Sequence, residues 1–188
     1  MENRKQNWGR AQAKYKEWLE KEGEKEGMEI KVRFIKNDYS AWSYLNLAWV
    51  IKISRCIGTI EIPENMFISK TPKFTEKERR AIGLHELGHL RTWKYFGFLG
   101  VLRRQIKRQK WFESEADAYV KRRGLGESFA SGLKKGRKLR EKLSRKSWWR
   151  IKIWWRKRTL SYRYPDFNKR IKKLVDCPQK KEYALPIV

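Results

Sequence analysis

His85 and His89 are the only histidines among the 188 residues, and they stand four apart with Glu86 directly after the first. Positions i and i+4 of a helix share a face, one turn apart. Two imidazoles so placed can bind one Zn²⁺, and the glutamate between them can reach a water on the metal as general base. Two histidines fall four apart by chance in about one such chain in a hundred, before the glutamate is required. The bland alternative is a hydrogen-bonded histidine pair on a helix. A catalytic zinc usually takes three protein ligands and a water. With no third histidine, the remaining ligand must be Glu, Asp or Cys. Glu113, in the stretch Trp111–Tyr119, is the strongest candidate. Asp117 stands four residues on and would share its helical face, placed to accept the free ring N–H of a ligating histidine. Glu115 points elsewhere on the same helix. A solvated acidic turn is the competing reading of this cluster.

Local signals predict the elements that must hold these groups. Thr75 and Glu78 have the spacing of a capping box, and Ile82, Leu87, Leu90 and Trp93 follow as an apolar series. Gly97 is the expected stop, giving a helix of about 20 residues with the histidines near its middle. Small Ala116 and Ala118 would let the Glu113 helix pack close against it. Residues 2–24 read as a charged helix turning Trp8, Tyr15, Trp18 and Leu19 inward, with Gly23 and Gly27 breaking it. Residues 28–35 and 53–62 read as strands, residues 41–51 as an apolar helix, and residues 166–175 as a last helix.

His85-Glu86-x-x-His89 followed by Glu113-x-x-Ala116-Asp117 resembles the gluzincin metallopeptidases of the M48 type, which include HtpX-like proteases and small single-domain relatives called minigluzincins. Gly58–Pro63 is similar to that family's edge strand, and Tyr164-Pro165 with Arg170-Ile171 and Leu174 to its late His-Pro…Arg-Ile…Leu element. The resemblance spans residues 30–175. It implies an α+β, zincin-like single domain with a small antiparallel or mixed sheet, an active-site helix and a glutamate helix. It also implies one Zn²⁺ per chain on His85, His89 and Glu113, and a polypeptide substrate. Glu86 would take a proton from the attacking water and pass it to the leaving amine. Substrate would lie along the exposed strand at Gly58, Thr59 and Ile60. Tyr164 stands where the family has histidine; it or Tyr162 could donate an O–H to the oxyanion, or simply pack. Arg170 carries over as a structural or substrate-positioning residue of the cleft, with a solvated helix charge as the alternative.

Length predicts one folding unit: a charged N-terminal helix over 1–27, a metallopeptidase domain over 28–176 and a tail over 177–188. The net charge of +26 implies an anionic partner or surface, or serves solubility; it does not bear on fold. Within the domain, residues 121–158 form a basic insertion with 16 Lys/Arg against Glu127 and Glu141. Its first part, 127–146, reads as an amphipathic helix carrying Phe129, Leu133, Leu139 and Leu143, weakened by Gly132 and Gly136. Its second part, 147–158, interleaves four tryptophans with basic residues. That composition suits an anionic membrane surface, a single-stranded nucleic acid, or a core contact under a solvated basic face. The charged start predicts no secretory leader, and no run reaches the roughly 18 apolar residues of a spanning helix. The expected location is therefore cytoplasmic, dissolved or peripheral at a membrane. Cys56 and Cys177 read as buried thiols rather than a bridge. The apolar end of the tail could plug the cleft; a frayed tail is the simpler reading.

Three functions compete on these residues. The first is a zinc endopeptidase. The second is a zincin-like regulator of the ImmA/IrrE kind, acting on a DNA-bound repressor. The third is a non-catalytic basic module for nucleic acid or lipid with a structural zinc. The late Tyr-Pro…Arg-Ile element favours the first over the second. Glu86 argues against the third, since a structural site has no use for a general base.

Overall fold

Tyr15 and Leu19 turn inward from the first helix, α1 (Glu2–Lys25), and Trp18 packs beside them. In this computed structural model the described residues are 2–35, 49–52, 56–68, 73–107, 111–144 and 166–175. α1 runs through Gly23 and closes at Gly27, whose φ of 64° is the left-handed conformation that favours glycine. The Gly27 and Met28 N–H groups cap it, donating to the carbonyls of Glu24 (2.8 Å) and Gly23 (2.9 Å).

Strand β1 (Glu29–Ile35) follows, alternating so that Ile30 and Val32 are buried. β2 (Trp49–Lys52) and β3 (Ile57–Pro63) complete a three-stranded sheet in the order β1-β3-β2. The longest pairing, β1 with β3, is parallel from Glu29 opposite Ile57 to Ile35 opposite Pro63. Only the short β2 runs antiparallel to β3. Of the two expected forms, antiparallel or mixed, the antiparallel one is corrected: the longest pairing is parallel. A second correction concerns residues 41–51: Trp49–Lys52 form a strand paired with β3, and Trp, Val and Ile are residue types with high strand propensity, while 36–48 lie outside the described residues. A third concerns Cys56, which is exposed rather than buried; it sits where β3 begins, and its carbonyl accepts the Glu29 N–H at 2.8 Å.

A single turn, α2 (Asn65–Ile68), leads toward α3 (Glu76–Lys107). The capping box forms in both directions: the Glu78 N–H donates to Thr75 Oγ1 (3.2 Å) and the Thr75 N–H to Glu78 Oε2 (2.7 Å). Gly97 interrupts α3 with non-helical backbone, φ 60° and ψ −179°, so the first helical segment stops where the sequence places its end, and a second segment resumes across the kink to Lys107. α4 (Trp111–Arg122), α5 (Gly126–Ser144) and α6 (Phe167–Val175) complete the described fold, which is mostly helical with a small sheet. Among the described residues no helix is long and apolar enough to cross a membrane.

The core joins Ile30, Val32, Ile60 and Ile62 of the sheet to Ile82, Leu84, Leu87 and Leu90 of α3, with Val120 of α4 and Phe129 of α5 closing it. Two close approaches fix α3 between its neighbours. A Cβ on Gly58 of β3 would stand 2.6 Å from the Leu90 side chain. A Cβ on Gly88 would stand 3.0 Å from the Ala116 Cα of α4. The turn after α1 clamps the same pair of helices. Glu26 accepts from Arg91 of α3 (2.9 Å), and from Tyr119 (3.0 Å) and Arg123 (2.9 Å) at the end of α4.

Candidate metal centre

His85 and His89 lie in the middle of α3, both buried, with their rings 4.6 Å apart. Gly88, between them, lets α4 approach closely enough to bring Glu113 over the pair. The two Nε2 atoms are 3.1 Å apart. Glu113 Oε2 lies 3.5 Å from His85 Nε2, and Glu113 Oε1 lies 3.5 Å from His89 Nε2. The ligand atoms of all three residues fall within 4.8 Å of one another. Zinc–ligand bonds of about 2.0–2.2 Å in a tetrahedron require donors about 3.3–3.6 Å apart. The observed spacings bracket that edge, so the residues present fit a metal ion of this kind.

Asp117, one turn after Glu113, sits behind the triad. Its Oδ1 is 3.1 Å from His85 Nδ1, away from the Nε2 that faces Glu113. This contact lies off the line of a good hydrogen bond, and the Nδ1 atoms of both histidines have no aligned partner. It is therefore a close charge contact on the Nδ1 side of the ring. Aromatic rings wall the histidines: Phe129 of α5 stacks on His85 at 4.7 Å, and Phe112 of α4 stacks on His89 at 4.3 Å.

Arg170, from α6, is drawn into the same cluster. Its Nε and Nη2 donate to the two oxygens of Asp117, both at 2.6 Å. Nη2 also lies 3.2 Å from Glu113 Oε2 and 3.4 Å from His85 Nε2. The side chain is only 11% exposed, so it is no solvated helix charge. A bidentate pair of this kind fixes both orientation and charge.

The electrostatics follow from burial and these neighbours. Burial alone would keep His85 neutral, but the Asp117 and Glu113 carboxylates outweigh it and push the ring up to about 9. Burial and the charge of His85 push His89 down to about 3. Burial opposes ionisation of Glu113 and Asp117, yet His85 beside both, with Arg170, holds each below the carboxylate range, Glu113 down to about 2. Glu86 is also buried; burial pushes it up to about 8, with the Glu113 charge adding to the rise and His85 and Arg170 opposing it.

The sequence-predicted residues separate clearly. His85, His89, Glu113, Asp117 and Arg170 come together, and Glu86 is buried next to His85 on the same helix. Tyr162 and Tyr164, the Trp-rich stretch 147–158 and the tail lie outside the described residues. Gly58, Thr59 and Ile60 are not on an exposed edge. β3 is the central strand, paired with β1 on one side and β2 on the other, so its backbone groups are already engaged. The expectation that substrate pairs with β3 is thereby corrected. Sequence reasoning missed Phe112, Phe129 and the role of Gly88. Phe112, directly before Glu113, was the one with a local signal.

Comparison of the chain with protein-family models, with curated proteins and with solved structures found no match.

Proposed function

We propose that the protein is a zinc-dependent endopeptidase built on a zincin-like, gluzincin-type arrangement. One observation carries this reading: two buried histidines of α3 and the largely covered Glu113 of α4 converge at zinc-ligand spacing, and Glu86, a buried carboxyl that is not one of the three, is within electrostatic reach of His85 and Glu113. A structural metal site needs ligands only; an additional buried carboxyl next to the ligands suits proton transfer.

A bound Zn²⁺ would supply a Lewis acid and a water of lowered pKa. His85, His89 and Glu113 would hold it. Asp117 would keep the His85 ring turned so that Nε2 faces inward, and Arg170 would keep Asp117 in place. Glu86 would take a proton from the water as its oxygen bonds to the scissile carbonyl carbon, and would give that proton to the amine nitrogen as the C–N bond breaks. Tyr164 remains the proposed O–H donor to the oxyanion. Substrate would be an unfolded or extended polypeptide.

The ligand assignment is tested by metal analysis after zinc loading. The expected result is one zinc per chain, retained in Glu115→Ala and lost in Glu113→Ala. Full occupancy in Glu113→Ala would refute the third ligand.

A further inference from the structure

Beyond the bend at Gly97, α3 continues as an arm over Phe98–Lys107. Val101 of this arm is buried, at 7% exposed. Leu99 is 77% exposed and Leu102 44% exposed; three apart, they share one side of the arm. Tyr95, 53% exposed, stands just before the bend. Burying so much aliphatic surface is ordinarily what a helix does, so its display here calls for a partner.

Along this stretch of the chain the charge is of one sign. No Asp or Glu occurs between Leu87 and Phe112, a stretch that holds seven Lys and Arg. Arg103 and Arg104 are exposed on the arm itself. Arg91 lies over the Tyr95 ring at 4.9 Å. The arm is braced: Arg104 sits 3.9 Å from the Phe96 ring centre, and Phe96 meets Trp111 at 5.3 Å.

We propose that this arm docks the protein on an anionic lipid bilayer. Leu99 and Leu102 enter the boundary of the acyl chains, Tyr95 lies at headgroup depth, and Arg103 with its neighbouring cations meets the lipid anions. Leu99, the most exposed of the three, and Leu102 are aliphatic, and Arg91 already lies over the Tyr95 ring, which favours lipid over nucleic acid, whose bases stack on aromatic rings. The surface is distinct from the metal centre and does not depend on the peptidase reading. It would set α3, and the site within it, beside the membrane.

The test is co-sedimentation of the full chain with vesicles of phosphatidylcholine alone and of phosphatidylcholine with phosphatidylserine, for wild type, Leu99→Asp/Leu102→Asp and the milder Leu99→Ser. Thermal unfolding of each variant controls for folding. The expected result is partition onto the serine-containing vesicles only, weakened by salt, with a loss of about tenfold or more in the double variant and a smaller loss in Leu99→Ser at unchanged melting. Equal partition onto neutral vesicles, or no partition onto either, would overturn the proposal. Wild-type partition by a folded double variant would overturn it too, because the lipid contact would then lie elsewhere in the basic chain. Binding of single-stranded RNA that is lost in the double variant, without any vesicle binding, would reassign the arm to nucleic acid.

Discussion

Asp117 faces two partners at once, the guanidinium of Arg170 and the Nδ1 side of His85. If its function is to orient a metal ligand, then Asp117→Asn, which keeps the size and removes the charge, should weaken zinc binding by about 10–100-fold in chelator competition. Unchanged affinity would leave Asp117 as no more than an anchor for α6. The pair His85 and His89 was legible in the sequence because its geometry is local: four residues, one helical turn. Elimination left Glu, Asp or Cys as the third ligand, and the spacing of Glu113 to Asp117 and the family resemblance made Glu113 the strongest candidate. The fork from Arg170 to Asp117 spans 53 positions between separate helices, and no spacing rule reports such a contact. Only the family resemblance pointed at Arg170, and it gave a place in the cleft rather than these partners. Phe129 is similar: its ring lies on His85 because α5 folds back over α3, which the periodicity of α5 alone does not specify.

The elements act as spacers for the site. Gly88 and Ala116 set the distance between α3 and α4, and hence between the histidines and Glu113. Gly88→Val should therefore cost about 1–3 kcal/mol of stability through overpacking, and weaken zinc binding as well. Gly9→Ala, with open space around it in α1, should be neutral or stabilising by up to about 1 kcal/mol and leave zinc binding unchanged. Urea unfolding and zinc titration of both variants check this; intact zinc affinity in Gly88→Val would break the link between helix spacing and the site.

The start of α3 depends on Glu78, which joins the cap to Ser131 (2.6 Å) and Lys135 (2.6 Å) of α5. Burial favours the neutral acid, but Lys135, Ser131 and the Thr75 N–H hold Glu78 below the usual carboxylate range. Its folded-state pKa is depressed, so its stabilisation is complete above the ordinary carboxylate pKa. That stabilisation is lost as the pH falls through the lower folded value. Glu78→Gln should lower stability at pH 7 by about 1–3 kcal/mol, and the gap to wild type should narrow as the pH falls below about 4. A gap that is the same at both pH values, by urea unfolding, would contradict the assignment. The capping box was legible because both partners lie within one turn. The sheet order was not: the partner that encloses β3 as its parallel neighbour lies nearly thirty residues earlier, and nothing local distinguishes a central strand from an edge. Residues 49–51 fall at the end of the helix expected over 41–51 because a short apolar run carries no decisive period.

Across the whole molecule, the site is a small acidic island in a chain of net charge +26. Glu86, Glu113 and Asp117 lie together in the interior, offset by Arg170 and by the histidines. A divalent cation placed among them would add the charge that this cluster of three carboxyls can best accommodate. Three carboxyls thus gather inside a chain whose overall charge is strongly positive, and composition alone shows only the overall charge. The account's central claim is that Glu86 moves a proton at a zinc held by His85, His89 and Glu113. The most direct measurement is digestion of an unfolded protein by the zinc-loaded chain, beside zinc-loaded Glu86→Gln and a chelated sample, with bound zinc measured in each. The account predicts cleavage by the wild-type chain alone, with Glu86→Gln still holding one zinc. Equal cleavage by wild type and Glu86→Gln, or none by a wild-type chain carrying its zinc, would contradict it.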